Sequence, residues 1–127
     1  MTNKRVDNRN ITFALKKEWF ELIKSGEKKE EYREITPYWC NRLLDVKRLN
    51  MMIEDCSAEM IELMVNKSYF HINQFSQVTF TLGYPNSGDK ERRIVFKNAH
   101  IRIGEGKKEW GAKAGRKYFV ISWEDRI

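Results

Sequence analysis

A glycine set directly ahead of a run charged on both faces limits what this chain can fold into more than any other feature. In Gly26-Glu27-Lys28-Lys29-Glu30-Glu31-Tyr32-Arg33 the glycine reads as a helix stop, because it enters the left-handed region without steric penalty. The residues after it read as a strand over 28–35, and a half-buried strand should show one apolar face. Here the odd positions give Lys29, Glu31, Arg33 and Ile35, and the even ones give Glu30, Tyr32 and Glu34. Only Tyr32 and Ile35 are core candidates, so the strand is expected to line something wet.

The flanking segments supply the elements around it. Ile11 to Leu15 reads as a first strand, and Lys17 to Ser25 as a helix with Trp19, Phe20, Leu22 and Ile23 on one face. Thr36-Pro37 is a helix start, with threonine as N-cap and proline at the first helical position, where its missing N–H is not needed. Trp39, Leu43, Leu44 and Val46 give that helix an apolar side. A further helix is expected near Ala58 to Asn66, capped by Ser57, with Met60, Ile61, Leu63 and Met64 as its apolar residues and the methionines as core filling. Gln77 to Tyr84 alternates, with Val78, Phe80 and Leu82 inward. The turn cluster Pro85-Asn86-Ser87-Gly88-Asp89 then leads to a returning strand through Ile94, Val95 and Phe96, which makes a hairpin. Extended chain continues from Ala99 to Ile103, bent around Asn98. Gly104-Glu105-Gly106 with Lys107 and Lys108 is a poor phosphate loop, since no helix is expected to open after it. Lys117 to Trp123 is apolar on both faces and reads as a central strand. Strands with few intervening helices imply an α+β domain built on a small mixed barrel.

At 127 residues the chain is sized for one domain with one core, here taken as residues 11–127 after a flexible basic tail, 1–10, that carries Lys4, Arg5 and Arg9. Cys40 and Cys56 form no paired motif and are expected to be reduced, buried thiols. No apolar run approaches a membrane span, and Met1 to Asn10 lacks the apolar core of a signal peptide, so a cytoplasmic protein is expected. The net charge of +6 is unevenly placed: +4 over residues 1–50, −3 over 51–75 and +5 over 76–127. A basic surplus on the two outer segments favours an anionic partner, foremost nucleic acid.

The spacing G-x-K-x-x-E-x-R, met here as Gly26, Lys28, Glu31 and Arg33, resembles the signature of the ASCH domain family, whose fold is similar to the PUA domains of RNA-modifying enzymes. The flanks extend the likeness to its phage-type bacterial members: Leu15-Lys16-Lys17-Glu18-Trp19-Phe20 before it, Thr36-Pro37-Tyr38-Trp39 after it, and Glu109-Trp110-Gly111 with Lys117-Tyr118-Phe119-Val120-Ile121 near the end. The resemblance covers roughly residues 11 to 123. It implies a PUA-like mixed β pseudo-barrel with flanking helices beside a cleft, and RNA or a nucleotide as the ligand.

On that footing Lys28, Glu31 and Arg33 become the expected ligand contacts, two cations beside one carboxylate at the mouth of a cleft. Lys28 and Arg33 would hold phosphate or a base edge, and Glu31 would accept from an exocyclic amine or a 2′-hydroxyl. Lys16 joins them from the flank, and Trp39, Tyr84 and Trp110 are candidate stacking rings. As surface cleft charges, Lys28 and Arg33 are expected to tolerate truncation to alanine at about 0.5–1 kcal/mol. The non-functional alternative is a solvated Glu31–Arg33 ion pair.

Small bacterial relatives that deacylate N4-acetylcytidine share the glycine, lysine and arginine but carry threonine where this chain has Glu31. An enzyme here would be a small amidohydrolase or a metal-dependent ribonuclease, with Lys28, Glu31 and Glu109 as candidate catalytic groups. His71 and His100 sit in no metal-ligand pattern, and neither metal nor cofactor is assigned. A third reading is a protein-interaction module that docks through residues 51–66.

Overall fold

The computed structural model describes residues 9–46 and 53–127. Five strands and three α-helices lie within them: β1 (Asn10–Leu15), α1 (Lys17–Lys24), β2 (Glu31–Glu34), α2 (Pro37–Leu43), α3 (Ala58–Asn66), β3 (Phe75–Leu82), β4 (Arg93–Glu105) and β5 (Lys117–Ser122). Single 3-10 turns occupy Ile53–Asp55 and Lys108–Trp110. The strands form one mixed sheet in the order β1-β3-β4-β5-β2, so the expected α+β class holds. Lys4, Arg5, Met51 and Met52 lie outside the described residues. Of the expected tail, residues 1–8 lie outside the described residues, whereas the Arg9 carbonyl accepts from the Ser76 N–H at 3.1 Å and Asn10 opens β1 opposite Gln77.

The chain forms two compact units, interleaved in sequence. The first comprises Met1–Glu31, Gln74–His100 and Ile121–Ile127. In it β1 runs parallel to β3, from Asn10↔Gln77 to Leu15↔Leu82, and β3 pairs antiparallel with β4 from Thr81↔Arg93 to Phe75↔Ala99. The expected hairpin is therefore present, and its loop is held by Arg93, whose guanidinium donates to the carbonyls of Asn86 (2.6 Å), Asp89 (2.8 Å) and Pro85 (3.2 Å). Asn98 takes φ 50°, which is where the sequence suggested a bend, but the strand continues through it. Phe13, Val78, Phe80, Ile94 and Ile121 are fully buried, and Trp123 sits 4.7 Å from the Phe80 ring centre and 5.4 Å from that of Phe96. Burying large aromatic rings supplies most of the driving force in a unit of this size. Phe20 and Ile23 form the buried stripe of α1.

The second unit comprises Tyr32–Asn73 and Ile101–Val120. Thr36 caps α2, accepting from the Trp39 N–H at 3.3 Å with Pro37 at the first position, and Ser57 caps α3, accepting from Met60 N–H at 3.1 Å. Helix α2 stops at Leu43, earlier than its apolar run suggested, because Leu44 turns extended and bridges to Ile72. In α3 only Ile61 is buried; Met60 and Leu63 are 48% and 52% exposed, so the expected core role fails for Met60. Tyr118 and Val120 of β5 gather with Ala112, and Tyr32 packs against them. Gly106 is required there: a Cβ at this position would overlap the Tyr32 ring and come within 2.8 Å of the Ala112 Cβ. The Tyr32 hydroxyl accepts from the Lys107 N–H at 2.9 Å. A short helical turn does follow the glycines, contrary to expectation, but at three residues it leaves Gly104-Glu105-Gly106 as structural chain rather than a phosphate cradle.

Candidate functional site

Helix α1 ends as its sequence demands. Ser25 closes the last turn, Gly26 takes φ 86°, and the reversed chain is tied back by the Lys28 N–H donating to the Leu22 carbonyl at 3.0 Å. This reversal sends Lys28 alongside the helix it has just left. Its ammonium lies 5.4 Å from the Trp19 ring centre and donates to the Glu30 carbonyl at 2.6 Å and to Glu31 Oε1 at 2.7 Å. The strand is shorter than expected, starting at Glu31, because Lys28 to Glu30 are spent folding the chain around that ammonium.

Burial changes how the signature works. Lys28 is 1% exposed, and in side-chain terms the pair is 0% exposed at Lys28 and 9% at Glu31. Lys28 is therefore not a surface cation at a cleft mouth, and an external group can reach the pair only through Glu31. A cation of this kind, enclosed by a carboxylate, a carbonyl and a ring face, fixes the direction of the Glu31 carboxylate. It is poorly placed to accept a proton or to grip a phosphate itself.

The remaining candidates divide between the two units. Lys16, exposed, is the residue before α1, and Tyr84 is 96% exposed just after β3; both border one depression in the first unit, described below. In the second unit, Arg33 is half-buried with its guanidinium 5.1 Å from the Trp39 ring centre, and Trp39 meets Tyr38 edge-on at 5.0 Å. Lys107 lies 4.5 Å from the Trp110 ring centre, and Glu109 is exposed in the 3-10 turn beside it. Arg116 and Lys117 pair with Glu34 and Glu62 at 2.6 and 3.2 Å. Sequence reasoning missed Trp19 as a partner of Lys28. The signal was the left-handed Gly26, which obliges the following residues to run back along α1.

Among the described residues no group of three or more His, Cys, Asp or Glu could hold a metal ion. No helix among them is long and apolar enough to cross a membrane. Burial, and secondarily the nearby Cys56, push the Cys40 thiol up to about 11, so it is neutral near pH 7. No family model matches the chain, and no curated protein or solved structure shows significant similarity to it.

Proposed function

We propose that the chain is an RNA- or nucleotide-binding domain of the ASCH type, with the PUA-like pseudo-barrel that its signature implies. The observation that carries the reading is the Lys28–Glu31 pair. Removing two ions from water costs several kcal/mol each, and their attraction seldom returns much more than that, so a buried pair is a poor device for stability alone. A carboxylate fixed in direction, with a small exposed edge, suits recognition of a donor such as an exocyclic amine or a 2′-hydroxyl. The basic surplus and the cation-on-ring pairs Arg33–Trp39 and Lys107–Trp110 offer the phosphate and base chemistry that single-stranded nucleic acid uses.

The amidohydrolase alternative needs Lys28 as a base or activator, and its enclosure by Glu31 and the Glu30 carbonyl disfavours that role. A protein-docking reading has one observation in its favour, the exposed Met60 and Leu63 on α3.

The test is fluorescence anisotropy with short single-stranded RNAs over a salt series, using the wild type, Arg33→Ala and Trp39→Ala. The expected result is log affinity falling linearly with log salt, at about −0.7 per phosphate neutralised, and weakened in both variants. Absence of binding at every salt concentration refutes the reading.

A further inference from the structure

Strands β1 and β3 run parallel and stop in register at Leu15 and Leu82. One chain then enters α1 and the other passes through Gly83, and the gap outside the carboxyl ends of parallel strands is where open α/β sheets tend to take small ligands. Here that gap is a depression of about 460 Å³ within the first unit, inside the roughly 300–1,000 Å³ range of small-molecule sites. Its floor is apolar, from Ala14, Leu15 and Leu82, and Lys16, Lys17 and Tyr84 complete the lining.

Three features set this depression apart from ordinary surface. The backbone beneath it is tied, since the Gly83 N–H donates to the Leu15 carbonyl at 3.0 Å and the Thr81 hydroxyl donates to the Gly83 carbonyl at 2.7 Å. Lys16 and Lys17 are both exposed, and among the described residues neither makes an ion pair or hydrogen bond through its side chain. Tyr84 is 96% exposed, although a tyrosine placed for packing buries most of its surface.

We propose that this depression binds one ribonucleoside monophosphate unit, with the base against Tyr84 and the apolar floor and the phosphate at Lys16 and Lys17. An apolar floor, an unburied ring and two adjacent cations together match a planar ring that carries an anionic group, and neither alone matches as well. The choice of a nucleotide among such ligands rests on the nucleic-acid reading above. The unit is either a free nucleotide or the 5′-phosphorylated end of an RNA strand, which present the same ring and phosphate.

The experiment is a titration of isotope-labelled protein with each ribonucleoside 5′-monophosphate, each matching nucleoside, and tetranucleotides with a 5′-phosphate or a 5′-hydroxyl. Amide shifts are followed for the wild type, Tyr84→Ala, the double variant Lys16→Ala/Lys17→Ala and Glu31→Gln. The altered residues other than Glu31 are exposed, so the fold should survive, and the spectra themselves report it. The expected result is saturable shifts centred on Lys16, Lys17, Gly83 and Tyr84, with affinity about ten-fold weaker in Tyr84→Ala and in the double variant. Nucleosides should bind more weakly than their monophosphates. Preference for the 5′-phosphorylated strand over free nucleotide identifies an RNA end, and the reverse identifies a free metabolite. Binding lost in Glu31→Gln but unchanged in the Tyr84 and lysine variants overturns this site while leaving the wider reading intact. Absence of binding by any nucleotide or strand up to about 10 mM overturns both.

Discussion

Replacing Lys28 by methionine keeps the aliphatic stem and removes only the ammonium, so it isolates what the buried pair contributes. At 2.7 Å and an effective dielectric near 20, the gross attraction is about 6 kcal/mol. Both ions have surrendered most of their hydration, and the net value of the intact pair is therefore near zero. Taking away one partner is different, because Glu31 stays where water barely reaches it. Such losses run to about 3–5 kcal/mol, and the 9% side-chain exposure of Glu31 places this one near the lower end. Lys28→Met should then destabilise the protein by about 3 kcal/mol, well beyond the 0.5–1 kcal/mol expected of a surface cleft charge. Urea denaturation followed by tryptophan fluorescence measures it: with a slope of about 1.5 kcal/mol/M, the midpoint falls by about 2 M. Adding Glu31→Leu should restore stability to within about 1 kcal/mol of wild type or above it. A loss below about 1 kcal/mol for Lys28→Met, or a double variant as unstable as the single one, refutes the reasoning.

Gly106→Ala should cost about 1–3 kcal/mol, because its Cβ overlaps the Tyr32 ring; thermal denaturation checks this, and an unchanged midpoint contradicts the close approach. The His100 hydrogen bond, with a smaller one from Asn98, holds the Glu124 carboxyl below its ordinary 4.5. A depressed carboxylate contributes stability above its unfolded pKa and loses it as pH falls through the folded value. Wild type should therefore exceed Glu124→Gln in stability near pH 6, with the gap closing in acid below 4.5; a gap independent of pH contradicts the assignment. Cys40, buried and raised to about 11, should resist iodoacetamide at pH 8 in the native state and react on unfolding, and rapid native labelling by peptide mapping would contradict its burial.

The features legible in the sequence are those decided by residues close to one another along the chain. Thr36-Pro37 and Ser57 start their helices where local capping chemistry puts them, Gly26 stops α1, and the alternation around Val78 and Phe80 marks β3. Tertiary context decided the rest. Lys28 reads as a surface charge until the reversal at Gly26 lays it against Trp19, and Met60 reads as core until α3 shows only Ile61 buried. The parallel pairing of β1 with β3 joins segments more than sixty residues apart, and no local pattern announces it. For the candidate site, the residue types in the signature were visible, but which cation holds Glu31 was not.

The central claim is that the Lys28–Glu31 pair serves recognition rather than stability, and one comparison tests it most directly. Stability and RNA affinity are measured together for the wild type and Lys28→Met/Glu31→Leu, the first by urea denaturation and the second by fluorescence anisotropy. The prediction is a double variant at least as stable as the wild type to within about 1 kcal/mol, with affinity at least ten-fold weaker. Undiminished RNA affinity in that stable, uncharged variant would contradict the claim.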